Sequence, residues 1–328
     1  MPSSKLQSND IFELPQGFEA TCLEVFSYQA EKNSLYKQFL SGLQIDSGKI
    51  TRSADIPFLP VGFFKTHQVS NEGLMTDIVF SSSGTEGTGQ SKHYVADKTL
   101  YNRSFRECFK HFYGDIREYA VLALLPSYLE REGSSLVYMA QDMISTSLHP
   151  ENGFFLNNLE ELHSTLVKLE SVGQKTLLLG VTYALLDFAE AFPMKLKHTL
   201  VMETGGMKGR RKELVREELH GFLCSAFGIK SVHSEYGMTE LLSQAYSKGG
   251  GIFHCPPWMR IQARDTNDPF SQARVGKTGG INIIDLANLN SCSFIATQDL
   301  GKVHDDGSFE IQGRFDNSDL RGCNLMIS

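Results

Sequence analysis

The sequence predicts an α/β fold with a β-rich C-terminal portion, on three observations. Between about residues 75 and 235, short β-prone runs alternate with stretches of helical periodicity, the pattern of a mostly parallel sheet covered by helices. After about residue 246 the runs shorten and are separated by Gly, Asn and Asp, the punctuation of closely connected strands. With 328 residues, 41% of them hydrophobic and 21% charged, the chain can bury a full core as one large domain or two unequal ones. The division is placed between 1–245 and 246–328.

The elements follow in order. The first 55 residues read as helical and carry no recognisable chemistry. Strand and helix then alternate: Thr76 to Phe80 with a helix from about Asp97; Tyr119 to Leu125 with a helix from Ser134 to Ser145; Thr176 to Val181 with Tyr183 to Phe192; Thr199 to Met202 with Arg211 to Phe227. Between the second and third units, Asn158 and Glu161 form an N-cap with an acidic third residue, and Leu159, Leu162, Leu166 and Leu169 make one apolar stripe. In the last helix Leu214, Leu219, Phe222, Leu223 and Phe227 are expected inside, with Glu213, Arg216, Glu217 and Glu218 wet. Near the end, "HDDGSFEIQG" marks a hairpin at Asp306-Gly307.

Composition excludes several function classes. A net charge of −7 without a run of like charge argues against nucleic acid as a partner. No apolar stretch approaches the roughly 18 residues that span a bilayer, and the N-terminus lacks a signal-peptide pattern; the expectation is a cytoplasmic protein without membrane insertion. Cysteines 22, 108, 224, 255, 292 and 323 are scattered without a close pair, so free thiols are expected rather than a zinc site or disulfide framework.

One loop stands out chemically. "SSSGTEGTGQSK" follows directly on Ile78-Val79-Phe80. A strand ending in Ser82, Ser83, Gly84, Thr85 and Gly87 sets backbone N–H groups and hydroxyls around a concavity suited to phosphate oxygens. It is not a Walker A loop, because Gln90 stands where that motif has its lysine. A flexible Ser/Gly connector would look the same.

Three further segments give the loop a context: "YGMTE" at 236–240, "ATQDLG" at 296–301 and "GRFDNSDLRG" at 313–322. With "SSGTEG" at 82–87 they occur in the order and rough spacing of the adenylate-forming enzymes, the acyl-CoA synthetase and luciferase superfamily, which the chain resembles over roughly residues 55–328. More narrowly, it is similar to the acyl-protein synthetases of bacterial luminescence operons, which share the approach "FLPVGFFKTHQV" and a terminus shortly after "RGCN".

The resemblance implies the N-terminal large domain of that fold, with the chain stopping where the family's small C-terminal domain would begin. It implies ATP and Mg2+, and CoA as an alternative acceptor. Ser82 to Gly87 would hold the β- and γ-phosphates with Lys92 as charge partner, although Lys92 lies two residues beyond the family position and Glu86 replaces a hydroxyl residue. Gly205 and Gly206 would contact adenine through their backbone, and Tyr236 would stack on it beside Gly237. Thr239 would meet the α-phosphate, Glu240 would ligate Mg2+, Asp299 would bind the ribose hydroxyls, and Arg314 would support ribose and phosphate. Cys323 matches the cysteine that accepts the acyl group as a thioester before a partner reductase takes it. The implied activity converts a carboxylic acid, a fatty acid by this resemblance, to acyl-AMP and then to a protein thioester. Two other readings stay open: a compact acyl-CoA ligase, and a nonenzymatic nucleotide- or acyl-binding subunit of a reductase complex.

Taken singly, each feature has a plainer reading. Thr239 and Glu240 can cap a helix, Asp299 can be a turn residue, Arg314 and Asp316 a weak surface pair, and Cys323 a small residue closing a strand. The basic run Lys208, Arg210, Arg211, Lys212 reads as a solvated helix start. His67, His93, His233 and His254 lack metal-ligand spacing and read as structural or loop residues.

Overall fold

The computed structural model describes residues 7–82, 89–126, 133–205 and 215–315. Three helices open the chain, α1 (Ser8–Glu13), α2 (Phe18–Lys32) and α3 (Ser34–Gly42), as the apolar spacing of the first 55 residues predicts. A short strand β1 (Leu59–Pro60) and one helical turn α4 (Phe63–Thr66) lead to the pair β2 (Ile78–Ser81) and β3 (Lys92–Val95). The alternating region runs α5 (Lys98–Tyr113), β4 (Ala120–Leu124), α6 (Ser135–Ser147), β5 (Gly153–Phe155), α7 (Leu159–Ser171), β6 (Thr176–Gly180), α8 (Thr182–Ala191), β7 (Thr199–Glu203), α9 (Arg216–Phe227) and β8 (His233–Tyr236). The β-rich portion contains β9 (Ala245–Ser247), β10 (Ile252–His254), β11 (Met259–Arg264), β12 (Gly279–Asp285), β13 (Phe294–Val303) and β14 (Phe309–Arg314).

These strands form one large mixed sheet in the order β11-β12-β13-β14-β10-β9-β8-β7-β6-β4-β5, with β1 added alongside β13. Pairing is parallel across β5-β4-β6-β7-β8 and antiparallel from β8 through β11. The parallel half is therefore the alternating region, and the antiparallel half the portion with Gly, Asn and Asp punctuation. The strand Ile78–Ser81 departs from this plan: it pairs antiparallel with β3 in a separate two-stranded sheet.

Every residue of β4, β6 and β12 is buried, as strands covered on both faces must be. In α7, the Asn158 side chain accepts from the Glu161 N–H, and Leu162, Leu166 and Leu169 face the core, so both the cap and most of the stripe are present. In α9, Leu219, Leu223 and Phe227 are buried, whereas Phe222 is 38% exposed. Phe222 falls outside the buried face, and the expected positions Glu213 and Leu214 lie outside the described residues. Arg216 is not free in solvent either: its guanidinium lies over the Phe253 ring and donates to the Ile311 carbonyl. The Asp306-Gly307 hairpin joins β13 to β14, but as a turn closed from the Gly307 N–H to the His304 carbonyl. Gly307 has φ +81 and Asp306 is not in the left-handed region, so this is not the two-residue turn that needs positive φ at both centres.

The N-terminal helices hold the site's scaffold. Buried Gln29 donates to the Asn288 and Leu289 carbonyls, each at 2.9 Å, and accepts from the Ser293 N–H at 2.9 Å. Asn33 donates to the Ser291 carbonyl. The loop between β12 and β13 is thereby fixed against α2 by groups that satisfy its otherwise orphaned backbone.

Cys22, Cys108 and Cys292 are buried, and all five described cysteines are free. Burial pushes the Cys22 and Cys292 thiols up to about 12, which marks them as packing residues. Among the described residues no helix is long and apolar enough to cross a membrane.

Candidate active site

A cavity of about 810 Å3 opens where several strands end. Its wall includes Ser81 and Ser82 after β2, Thr204 after β7, Glu235 through Glu240 save Tyr236, and Arg314 at the end of β14. Open α/β sheets place ligands in this position, outside the carboxyl ends of their strands.

At the outer end, Ser82 and Ser91 clip the base of the loop that carries the Ser/Gly segment. The Ser82 N–H donates to the Ser91 carbonyl at 3.0 Å, and the Ser91 N–H donates to the Ser82 hydroxyl at 2.9 Å. Ser83, Gly84, Thr85 and Gly87 lie outside the described residues. Lys92 is exposed on β3 and is not in the cavity wall; its position two residues late places it in the strand rather than on the loop. Lys65, from "FLPVGFFK", is in the wall instead, and forms no ion pair among the described residues. That segment is positioned by β1, whose Leu59 and Pro60 pair with Ile295 and Ala296 of β13.

Thr239 and Glu240 both face the cavity, in the turn after β8 rather than on a helix. The helix-cap alternative for this pair is therefore not what forms. Three contacts fix the turn. His93 approaches the Thr239 carbonyl at 2.9 Å through Nδ1, Asn288 donates to the Glu240 carbonyl at 2.8 Å, and Asn288 Oδ1 meets His93 Nε2 at 3.1 Å. Burial pushes the His93 imidazole down to about 4, and its two ring contacts make it a structural group. Downstream, the Asp285 carboxylate accepts from the Leu242 and Ser243 N–H groups at 2.8 and 2.9 Å. Glu240 is only 6% exposed. Burial raises its pKa, opposed by a hydrogen bond from the Ser91 hydroxyl and by the Arg314 charge.

Tyr236, Asp299 and Arg314 come together as one group. The Tyr236 hydroxyl donates to Asp299 Oδ2 at 2.7 Å, and Arg314 Nε donates to Oδ1 at 2.8 Å. Residues 299 and 314 are direct cross-strand partners. Asp299 is 7% exposed and the Arg314 side chain 73%, so a buried carboxylate is held against a guanidinium that reaches the cavity. Each Asp299 oxygen accepts one of these bonds, and Asp299 itself is not in the cavity wall. The Tyr236 ring packs edge-on against Phe253 and Phe309.

The turn after β7 brings Thr204 to the cavity wall. The Gly205 N–H donates to Glu203 Oε2 at 2.6 Å, and the Thr204 hydroxyl is buried at the cavity wall without a partner among the described residues. Gly206 lies outside the described residues. Glu203 is buried, yet its pKa is lowered, with the Thr182 hydroxyl and the Gly205 N–H donating to Oε2 and the His220 ring 3.7 Å from Oε1. Gly237 lies against Glu235, whose Oε1 would stand 2.4 Å from a Cβ there.

The inner end was not anticipated from sequence. Glu235, Gln244, Tyr101, Ser135, Leu136 and Met139 line it. Glu235 immediately precedes Tyr236, and Gln244 lies in the apolar-looking stretch just after "YGMTE"; neither belongs to a motif. His233 does not reach this wall: its Nδ1 meets the Tyr113 hydroxyl at 3.2 Å. Cys323 and the basic run at 208–212 lie outside the described residues.

The mixed sheet and the cavity at its strand ends define a ligand-binding α/β fold, and solved structures give it a relative. No protein-family model matches this sequence, and no curated protein sequence matches it. Among solved structures, 2-hydroxyisobutyryl-CoA ligase in the postadenylation state with R3-HIB-AMP superposes with a TM-score of 0.64 at 11% identity, over 97% of this chain and 72% of that one. The same ligase with 2-HIB-AMP and CoA in its thioesterification state gives 0.63 at 12% identity, over 97% and 70%. ATP-bound MatB from Rhodopseudomonas palustris gives 0.55 at 16% identity, over 74% of this chain and 49% of that one. The chain therefore shares the fold of these ligases, and spans about half the length of MatB.

Proposed function

We propose that this chain activates a carboxylic acid with ATP, forming acyl-AMP and then a thioester. The observation that carries the reading is the convergence of Ser82, Thr239, Glu240 and Arg314 on one cavity from segments far apart in the sequence, in a fold shared with ligases whose solved complexes hold ATP or an acyl-AMP. The unpartnered Thr204 hydroxyl and the exposed Arg314 guanidinium fit a nucleotide there.

The chemistry needs alignment and charge neutralisation more than covalent help. A carboxylate oxygen attacks the α-phosphorus, the bond to the bridging oxygen breaks, and pyrophosphate leaves. Thr239 offers a hydroxyl to the α-phosphate, and Glu240 would hold Mg2+, which neutralises phosphate charge. Lys65 and Arg314 are cations in the cavity wall. A thiolate then attacks the acyl carbon and AMP departs with the former carboxylate oxygen. Two acceptors are proposed: Cys323, on the resemblance to acyl-protein synthetases, with a reductase as onward partner; or CoA, which the solved complex of the hydroxyisobutyryl ligase contains. A cytoplasmic setting suits either.

Acid-dependent exchange of labelled pyrophosphate into ATP tests the reading. Exchange is expected with at least one acid and should be lost in Glu240→Gln. ATP binding without exchange for any acid would leave a binding subunit instead. AMP release that needs CoA and survives Cys323→Ser would select CoA as acceptor.

A further inference from the structure

The cavity has two chemically different ends. The outer end gathers Ser82, Ser91, Thr239, Glu240 and Arg314, with Arg314 close enough to influence the Glu240 carboxyl. The inner end is formed by Glu235, Gln244 and Tyr101 together with the first turns of α6. Glu235 and Gln244 meet beside Gly237, where a Cβ would lie 2.4 Å from Glu235 Oε1 and 3.5 Å from Gln244 Cγ.

At this inner end two acceptor groups are served by no described donor. Gln244 is 4% exposed, and its Oε1 is buried without a hydrogen-bond partner. No described group donates to the Glu235 carboxyl; burial and the nearby Glu203 charge raise its pKa to about 8. The Tyr101 hydroxyl, which might have served Glu235, donates instead to the Ser135 carbonyl at 3.2 Å. A buried acceptor such as Gln244 Oε1 is costly to leave open unless a ligand completes it, and the half-buried Glu235 carboxyl borders the same space. A plain alkyl chain would complete neither and would strand both away from water.

We propose that the inner end recognises a hydrogen-bond-donating substituent, an amino or hydroxyl group, on the acyl part of the acid, with Glu235 and Gln244 Oε1 as its acceptors. The inference rests on the acid-activation reading and replaces its fatty-acid expectation with a donor-bearing carboxylic acid. Leu136 and Met139 supply the apolar contact for the carbons between the two functional groups. An amine would also offset the two neighbouring acids, Glu235 and Glu203.

Direct binding tests this independently of turnover. Calorimetric titration of the full chain, with ATP present, compares hexanoate, 6-hydroxyhexanoate and 6-aminohexanoate and their shorter homologues. A donor-bearing acid should bind on the order of tenfold or more tightly than its alkyl counterpart, the advantage of one buried hydrogen bond to a charged or strongly polar group. Preference for the amino or the hydroxy series identifies the donor. Glu235→Leu and Gln244→Leu, each checked for folding by circular dichroism, should remove most of that ratio while alkyl binding holds or improves. Equal or tighter binding of the alkyl acids, or no binding of any donor-bearing acid, overturns the inference. Pyrophosphate exchange is read in parallel: selective binding without exchange refutes adenylation alone, and exchange that favours alkyl acids refutes this specificity alone.

Discussion

Replacing Glu235 by Gln should make the protein more stable, by an amount that grows with pH. The folded-state pKa of Glu235 is about 8 against an ordinary 4.5, through burial and the Glu203 charge. For a raised carboxyl the folded chain keeps a proton that the unfolded chain releases, so stability falls as pH rises from about 4.5 to about 8 and then levels off. Each pH unit in that window is worth about 1.4 kcal/mol, giving a ceiling of roughly 5 kcal/mol. The carboxyl borders an open cavity and is coupled to Glu203, which reduces the expected effect to about 2–3 kcal/mol. Urea unfolding of both proteins at about pH 5 and about pH 9 measures it. The difference should be small in acid and reach its full size in alkali, with the Gln variant the more stable. Parallel stability profiles, or a variant that loses stability in alkali, would refute the placement of an unpaired acid at the inner wall.

Two further outcomes follow from the same geometry. Lys65→Ala should lower kcat/KM for ATP by about tenfold to a hundredfold without shifting the unfolding midpoint, because the side chain is exposed and forms no ion pair among the described residues; steady-state kinetics beside a melt checks both halves. Gln29→Leu should cost about 2–4 kcal/mol by stranding the buried carbonyls of Asn288 and Leu289. It should also weaken ATP binding, since Asn288 holds the Glu240 carbonyl, and urea unfolding with nucleotide titration reads the two effects.

Much of the fold is legible in the sequence because its elements carry their own signals. The α7 cap at Asn158 and the buried runs of β4 and β6 need only local chemistry to recognise. The sheet direction after residue 236 does not, since antiparallel pairing of β8 with β9 depends on where a short turn returns the chain. The site divides the same way. Tyr236, Thr239, Glu240, Asp299 and Arg314 sit in recognisable motifs, and Tyr236, Asp299 and Arg314 meet through hydrogen bonds of 2.7 and 2.8 Å. Lys65, Glu235 and Gln244 have no motif; only three-dimensional packing brings them to the wall. Gln29 and Asn33 support the site from 258 or more residues away, a relation no local pattern encodes.

The most direct test of the central claim follows an oxygen atom. A carboxylic acid labelled with oxygen-18 is incubated with the protein, ATP, Mg2+ and a thiol acceptor, and the nucleotide products are analysed by mass spectrometry. Attack of the carboxylate on the α-phosphorus predicts AMP carrying one labelled oxygen from the acid, with unlabelled pyrophosphate. Label appearing in inorganic phosphate with ADP as the nucleotide product, or AMP formed without label, would contradict adenylation at this cavity.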